Sequence, residues 1–475
     1  MRPRMPFDDV AWEESERVER QWIHSLFEES TLRAIGDFIV KHRRGIPTEM
    51  CDPKAGAFNA LFRMKFQDGG SAVIRFAKPG VLMFPEEKIR NEVAMIKYIQ
   101  DKTTIPVPFI LHWGTKEESP LGLGPFIIME YINHEMDMGA ALNMAGLGIQ
   151  DRLLLDPNIE PAKLEMLYRQ VADVLLQLSY LELPAIGSLR QTDEFSWDVT
   201  HRPLSLHMNE LVRLGTLPRQ KLPNASFESS SSYLMSLSQL HMEHLLWQRN
   251  DAIESRTDCQ RKYVARHLFQ KLATERRLLS GMHDNGPFRI WCDDLRPSNI
   301  LLDANLQIVG VIDWEFAYAA PSEFSFAPPW WLLLEQPEYW PGGMNEWSDI
   351  YESRLQVFLG VLEECEASAV ASGKLLDGNK LSQRMRQSWY EGGFWIVYAA
   401  RKNFAFDAIF WEKLDPKFFG PGGSPEDSWK QRLGLLDERV RENMEPFVEK
   451  KLKDCEVREL AWEPDELVPR DHNEG

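Results

Sequence analysis

A chain of 475 residues with 44% hydrophobic content is long enough to bury a full core in one or two lobes. Its formal net charge of −18 argues against a broad nucleic-acid surface. No apolar run approaches the roughly 20 residues a membrane helix needs, so neither nucleic acid nor a membrane is an expected partner. The cysteines at 51, 259, 292, 365 and 455 are odd in number, scattered and without metal-ligand spacing, which fits a reducing, cytoplasmic compartment. Met1-Arg2-Pro3-Arg4-Met5-Pro6-Phe7 lacks the apolar core of a signal peptide.

Residues 1–48 read as an N-terminal helical extension. Its charged helical pattern over 8–43, with Trp12, Trp22, Leu26 and Phe38 as apolar members, is expected to pack outside a first lobe spanning 49–132. In that lobe Phe62, Met64 and Phe66 alternate onto one face of a strand, and Asp68-Gly69-Gly70 makes a turn. The return strand, 71–76, puts Ala72, Ile74 and Phe76 on one face and Val73 and Arg75 on the other. Residues 86–100 predict a helix with the stripe Ile89, Val93, Ile96. Glu92 falls inside that stripe, where a carboxylate is costly unless paired, and Arg75 is its natural partner. Two further strands are expected at 110–112 and 126–132, the second almost wholly apolar until Glu130-Tyr131.

The second lobe, 133–452, is mainly helical in pattern. Its expected central helix, 161–181, carries the stripe Leu164, Leu167, Val171, Val174 and Leu178. An insertion is expected at about 190–280, with the low-complexity stretch 226–232 (SFESSSS) as an exposed loop. The stretch 389–410 reads as core, and 453–475 as an acidic tail that frays.

The chemistry concentrates between these elements, in FRIWCDDLRPSNILLDANLQIVGVIDWEF, residues 288–316. A short apolar strand ends at Asp293 and Asp294, and a loop closes on Asn299. Two short strands around the turn-forming Asp303-Ala304-Asn305 then deliver Asp313. Asp294, Asn299 and Asp313 are expected to converge, and hard oxygen ligands of this kind suit Mg²⁺ beside phosphate oxygens. An Asp followed five residues later by an Asn, then by a second Asp after a strand pair, is the spacing of the kinase catalytic loop. On that template Asp294 takes the hydroxyl proton, and Asn299 and Asp313 hold metal. The competing reading is a surface hairpin whose Asp and Asn merely cap turns.

With Cys292-Asp293-Asp294-Leu295-Arg296-Pro297-Ser298-Asn299 and Ile312-Asp313-Trp314, the stretch resembles the aminoglycoside phosphotransferase/choline kinase-like family. Ala320-Pro321-Ser322-Glu323-Phe324 and Pro328-Pro329-Trp330-Trp331-Leu332-Leu333 look closer to a divergent fungal branch of it. Cys292 stands where that family usually has a His that buttresses the loop. The resemblance implies an α+β, protein-kinase-like fold with a small β-rich lobe, a larger helical lobe and ATP with Mg²⁺ in the cleft between them. It makes the loop before the first strand, with Gly56 its single glycine, the phosphate cover. Arg75 then pairs phosphate and Glu92, Val73 lies against adenine, and Met129, Glu130, Tyr131 and Ile132 form the hinge that binds the adenine edge. Ala320 begins only seven residues after Asp313, too soon for a peptide-docking segment. The expected acceptor is therefore a hydroxyl on a small molecule. The alternative from another class is a pseudokinase, a nucleotide- or partner-binding module without turnover, which the glycine-poor loop and Cys292 would suit.

Overall fold

Asp8 opens the first helix by accepting a hydrogen bond from the Ala11 amide at 3.0 Å. In the computed structural model, which describes residues 4–148, 151–193, 196–373, 380–423 and 427–461, that helix is α1, Asp9–Leu26, and α2 follows at Glu29–Arg43. The strands come next: β1 (Pro47–Met50), β2 (Lys54–Ala55), β3 (Asn59–Phe66) and β4 (Ser71–Ala77). After helix α3 (Pro85–Lys102) come β5 (Ile110–Gly114) and β6 (Phe126–Glu130). They form one antiparallel sheet in the order β1-β3-β4-β6-β5, with β2 paired to β3.

Period-two alternation decides what each face of this sheet does. Phe62, Met64, Phe66, Ala72, Ile74, Phe76, Phe126 and Ile128 pack with Trp22, Leu26, Ile35 and Ile39 of α1 and α2. Val73, Ile127 and Met129 turn the other way, into the core shared with α3 and the second lobe. Arg75 belongs to that inner face and is 4% exposed. The N-terminal extension does more than cover the first lobe. The Met5 amide donates to the Phe404 carbonyl at 2.6 Å and that of Asp8 to Leu214 at 2.9 Å. Arg213 of the second lobe donates to Ser15 at 2.6 Å. Residues 4–26 therefore strap the two lobes together, because Asp8, buried as a cap, also holds the Asn250 side chain.

The second lobe begins with β7 (Met136–Asp137), α4 (Met138–Leu142) and the long α5 (Pro161–Ser179), whose expected apolar stripe is buried throughout. Then follow β8 (Ser188–Gln191), β9 (Trp197–His201), α6 (Leu206–Leu214), α7 (Ser230–Trp247) and α8 (Arg256–Thr274). The serine-rich patch is a loop only as far as Ser229 and is partly buried there; Ser230 to Ser232 are helical. Ser229 accepts from the Ser232 amide at 3.2 Å and caps α7, with Ser230 buried in its first turn. Serine is a favoured N-cap because its hydroxyl satisfies an orphan amide, a signal that the low-complexity reading overlooked. Strands β10 (Arg289–Cys292), β11 (Ile300–Leu302), β12 (Ile308–Val311) and β13 (Ala317–Ala320) carry the central stretch. They are followed by α9 (Ser322–Phe326), α10 (Gly343–Ala371), α11 (Leu381–Tyr390) and α12 (Gly393–Arg401). A last long helix runs Glu438–Asp454, and the tail expected over 453–475 lies outside the described residues from 462 onward. The class is thus α+β, a β-rich first lobe on a larger helical one, as the sequence led us to expect. Among the described residues no helix is long and apolar enough to cross a membrane.

Candidate active site

The central hairpin is set by its turn. Asp303 accepts from the Asn305 and Gln307 amides, each at 2.8 Å, and Leu306 takes φ 60° to close it. Pairing of Ile300 with Val311 and a 2.9 Å bond from the Ile312 amide to the Asn299 carbonyl then bring Asp313 beside Asn299. Asn299 is 5% exposed and donates its amide hydrogens to Asp294, at 2.8 Å to the carbonyl and 2.9 Å to Oδ2. Arg296 Nε lies 2.9 Å from the other carboxylate oxygen, Oδ1. Burial pushes the Asp294 carboxyl up, against the pull of Arg296. Asp313 holds φ 56° and Phe316 φ 58°, left-handed conformations that a bulky side chain adopts at a cost and that cluster at functional sites.

From the first lobe, Arg75 donates one guanidinium nitrogen to Asp313 and another to Glu92. Its remaining nitrogen, Nε, is buried without a partner. Burial and the nearby acids Glu315, Glu92 and Asp294 raise the Asp313 carboxyl to about 6 despite Arg75. Burial would also raise Glu92, but Arg75 and Lys88 hold it below the usual carboxylate range. Lys88 is the part that sequence reasoning missed. Its ammonium lies 2.9 Å from Glu92 Oε2, pairs with Glu315 and donates to Asn59 Oδ1 at 3.0 Å. Asn59 in turn donates to Glu315 at 3.0 Å. Lys88 and Glu92 are four residues apart on α3, a spacing that shares a helix face and could have exposed the pair.

The other expected residues fall around this centre. Gly56 is at the tip of the β2–β3 hairpin, its amide donating to the Asn59 carbonyl at 2.9 Å. Phe58, two residues on, packs edge-to-face on Phe316 with centroids 5.5 Å apart. Val73 pairs with Met129 across β4 and β6, and both are buried. Of the expected hinge, the Glu130 amide donates to Phe109 and the Tyr131 amide to Ser71, each at 3.0 Å. Those two amides are spent inside the protein and are not open to a ligand; Met129 is paired on both sides in the sheet, and the Ile132 carbonyl lies 2.8 Å from His134 Nδ1. Cys292 is buried, its thiol pushed well up by burial and directed at the Glu315 carbonyl, 3.6 Å away.

A second group unrecognised in the sequence lies behind the loop. Asp293 has no side-chain exposure and accepts from Trp291 Nε1 at 2.8 Å, the Leu206 amide at 3.0 Å and Arg401 at 2.9 Å. Arg401 is the lone cation of the otherwise apolar α12, which was the available signal. Thus α6 and α12 both brace the residue next to Asp294. Strand β13 pairs with β10 straight after this segment, Ala317 opposite Cys292, so no peptide-docking segment intervenes.

The chain matches the family model described as APH, phosphotransferase enzyme family, over residues 53–348. A subtelomeric hrmA-associated cluster protein of Aspergillus fumigatus is 26% identical over 142 residues, covering 30% of this chain and 25% of that protein. The chain thus matches about a quarter of that relative's length. Among solved structures, a thermostable mutant of an aminoglycoside phosphotransferase, in ternary complex with AMP-PNP and hygromycin B, is 12% identical. It covers 79% of this chain and 98% of its own, with a TM-score of 0.41. The Plasmodium vivax ethanolamine kinase is also 12% identical, covering 88% and 91%, with a TM-score of 0.41. A type I macrolide 2'-phosphotransferase is 11% identical, covering 81% and 97%, with a TM-score of 0.41.

Proposed function

Because the chain belongs to the phosphotransferase enzyme family, we propose that it transfers the γ-phosphoryl group of ATP to a hydroxyl of a small molecule. The observation that carries this reading is the meeting of Asp294, Asn299 and Asp313 with the buried Arg75–Glu92 pair in one place. Phosphoryl transfer asks the protein mainly for positioning and charge neutralisation, and each of these groups supports one of those tasks.

Asp294 is the general base. Burial raises its carboxyl, which makes it a better proton acceptor, and Asn299 and Arg296 fix its orientation. Asn299 and Asp313 are the metal-holding residues. Asn299 spends its side-chain amide hydrogens on Asp294, which leaves its side-chain oxygen, Oδ1, for a cation. Among the described residues no three His, Cys, Asp or Glu side chains group as a metal cage, but magnesium is commonly held by one or two carboxylates plus substrate phosphates. When bound, Mg²⁺ would neutralise charge on the β- and γ-phosphates. Arg75 is the phosphate clamp, and its unpartnered buried Nε is consistent with a phosphate oxygen as the intended acceptor. Its planar fork can hold two oxygens, which a Lys cannot. The short path from Asp313 to β13 favours a small-molecule acceptor over a protein.

Thermal unfolding with and without Mg-ATP tests this reading. The wild type is expected to be stabilised by mass action, and Asp313→Ala to lose most of the metal-dependent part. A metabolite pool supplied with ATP should then yield a phosphorylated product. No stabilisation by ATP, with or without Mg²⁺, would sink the nucleotide reading. Binding without consumption of ATP in any pool would favour the pseudokinase instead.

A further inference from the structure

We infer that Lys88 is a positioning residue for nucleotide, a second counter-ion that secures Glu92 and Glu315 so that Arg75 can turn from Asp313 to phosphate. This rests on the phosphoryl-transfer reading and goes beyond it, because Lys88 touches neither phosphate nor metal site.

The argument starts from what Arg75 is asked to do. It is joined to both Glu92 and Asp313. Phosphate binding must draw a guanidinium nitrogen from Asp313, which is released to take a metal, while the contact with Glu92 stays in place. Glu92 has no side-chain exposure, so water cannot make up for a counter-ion whose charge is now shared with phosphate, and an under-compensated buried carboxylate is strongly unfavourable. With Arg75 as its one counter-ion, Glu92 would oppose that sharing.

Lys88 removes that conflict. Its side chain is fully buried, and its ammonium is in ion-pair contact with Glu92 and Glu315 and donates to Asn59 Oδ1. None of these contacts involves Arg75, so this second hold on Glu92 is unchanged when Arg75 exchanges Asp313 for phosphate. The same ammonium ties three elements together. Glu92 is on α3; Glu315 is two residues past Asp313; Asn59 begins β3 at the foot of the hairpin whose Phe58 packs on Phe316. Hairpin, helix and Asp313 segment are thereby fixed with respect to one another by one side chain.

The test compares ATP with adenosine, which occupies the same cleft but makes no demand on Arg75. In full-length Lys88→Met, the dissociation constant of Mg-ATP should rise by roughly tenfold or more while that of adenosine changes far less. Circular dichroism and thermal unfolding check that the variant is folded. If it is not, Lys88→Met combined with Glu315→Gln removes the cation and one of its carboxylates together and takes the same comparison. Equal factors for ATP and adenosine, or failure of both variants to fold, would assign Lys88 to stability alone and overturn the inference. Wild-type protein that binds no Mg-ATP would instead sink the phosphoryl-transfer reading, and this inference with it.

Discussion

Asn299 donates one amide hydrogen to the carboxylate of Asp294 and another to that residue's own carbonyl, at 2.9 Å and 2.8 Å. The loop between them is thereby closed on itself, and Asn299 adds to the Arg296 contact a hold on Asp294 that does not neutralise it. Asp294→Asn is nearly isosteric and keeps an acceptor for Asn299. Turnover should fall by ~10²–10⁴, the usual span for losing a general base. Mg-ATP affinity should stay within a few-fold, as read by calorimetry. A variant that consumes ATP at the wild-type rate would remove Asp294 from the chemistry.

Asp293 and Arg401 predict a stability effect. Burial pushes the Asp293 carboxyl up, but Arg401 foremost among its neighbours holds it below its ordinary value. Arg401→Leu strands a carboxylate with no side-chain exposure and should cost about 3–5 kcal/mol in urea unfolding. Adding Asp293→Asn should restore a good part of it, since the uncompensated charge is then gone. Equal losses in the single and the double variant would show that packing of Arg401 over Trp291, 4.3 Å away, matters more than the charge.

The alternating residues of β3 and β4, the stripe of α5 and the 288–316 hairpin were legible in the sequence because local periodicity and turn chemistry specify them. Arg75 and Glu92 were legible for a related reason, since a charge at a core position demands a partner. Lys88, Asn59 and Glu315 were not. Their partners come from separate elements, and Asn59 lies 256 residues from Glu315 in sequence. Arg401 escaped notice because its partner, Asp293, stood beside a more conspicuous Asp. The serine patch misled because composition was weighed ahead of capping. The bridging path of residues 4–26 depends on contacts with Phe404, Leu214 and Asn250, which no local pattern announces.

Buried histidines predict acid lability. Burial, aided by the charge of Arg266, lowers His244 to about 3 and His241 well below its usual value; burial also lowers His267, to about 4, against Asp437. Lys262 and Lys451 add to the positive surroundings of His244. The unfolded chain takes up these protons from about pH 6.5 downward, while the folded chain resists until its lowered values are reached. The unfolded state therefore binds more protons, and stability is lost as pH falls from about 6.5 toward 3. Urea midpoints should decline from about pH 7 to about pH 5, and His244→Gln should flatten that slope. A midpoint independent of pH over this range would contradict the assignment.

The last prediction concerns the buried ion pair of the first lobe at the site. Arg75 and Glu92 are both buried and in contact, so their substitutions cannot be independent. Arg75→Ala removes the proposed phosphate clamp and should weaken Mg-ATP binding. Glu92→Ala leaves Arg75 bound to Asp313 alone and should weaken it too, because the guanidinium is then held only by the residue that a metal would claim. The double variant should cost less than the sum of the two, with a coupling of about 0.5–3 kcal/mol typical of contacting residues. Lys88 keeps Glu315 and Asn59 as partners in every one of these variants, so the helix is not left wholly unanchored. Calorimetric Mg-ATP affinities for the four proteins complete the cycle. Strict additivity would show that the contact between Arg75 and Glu92 has no part in nucleotide binding.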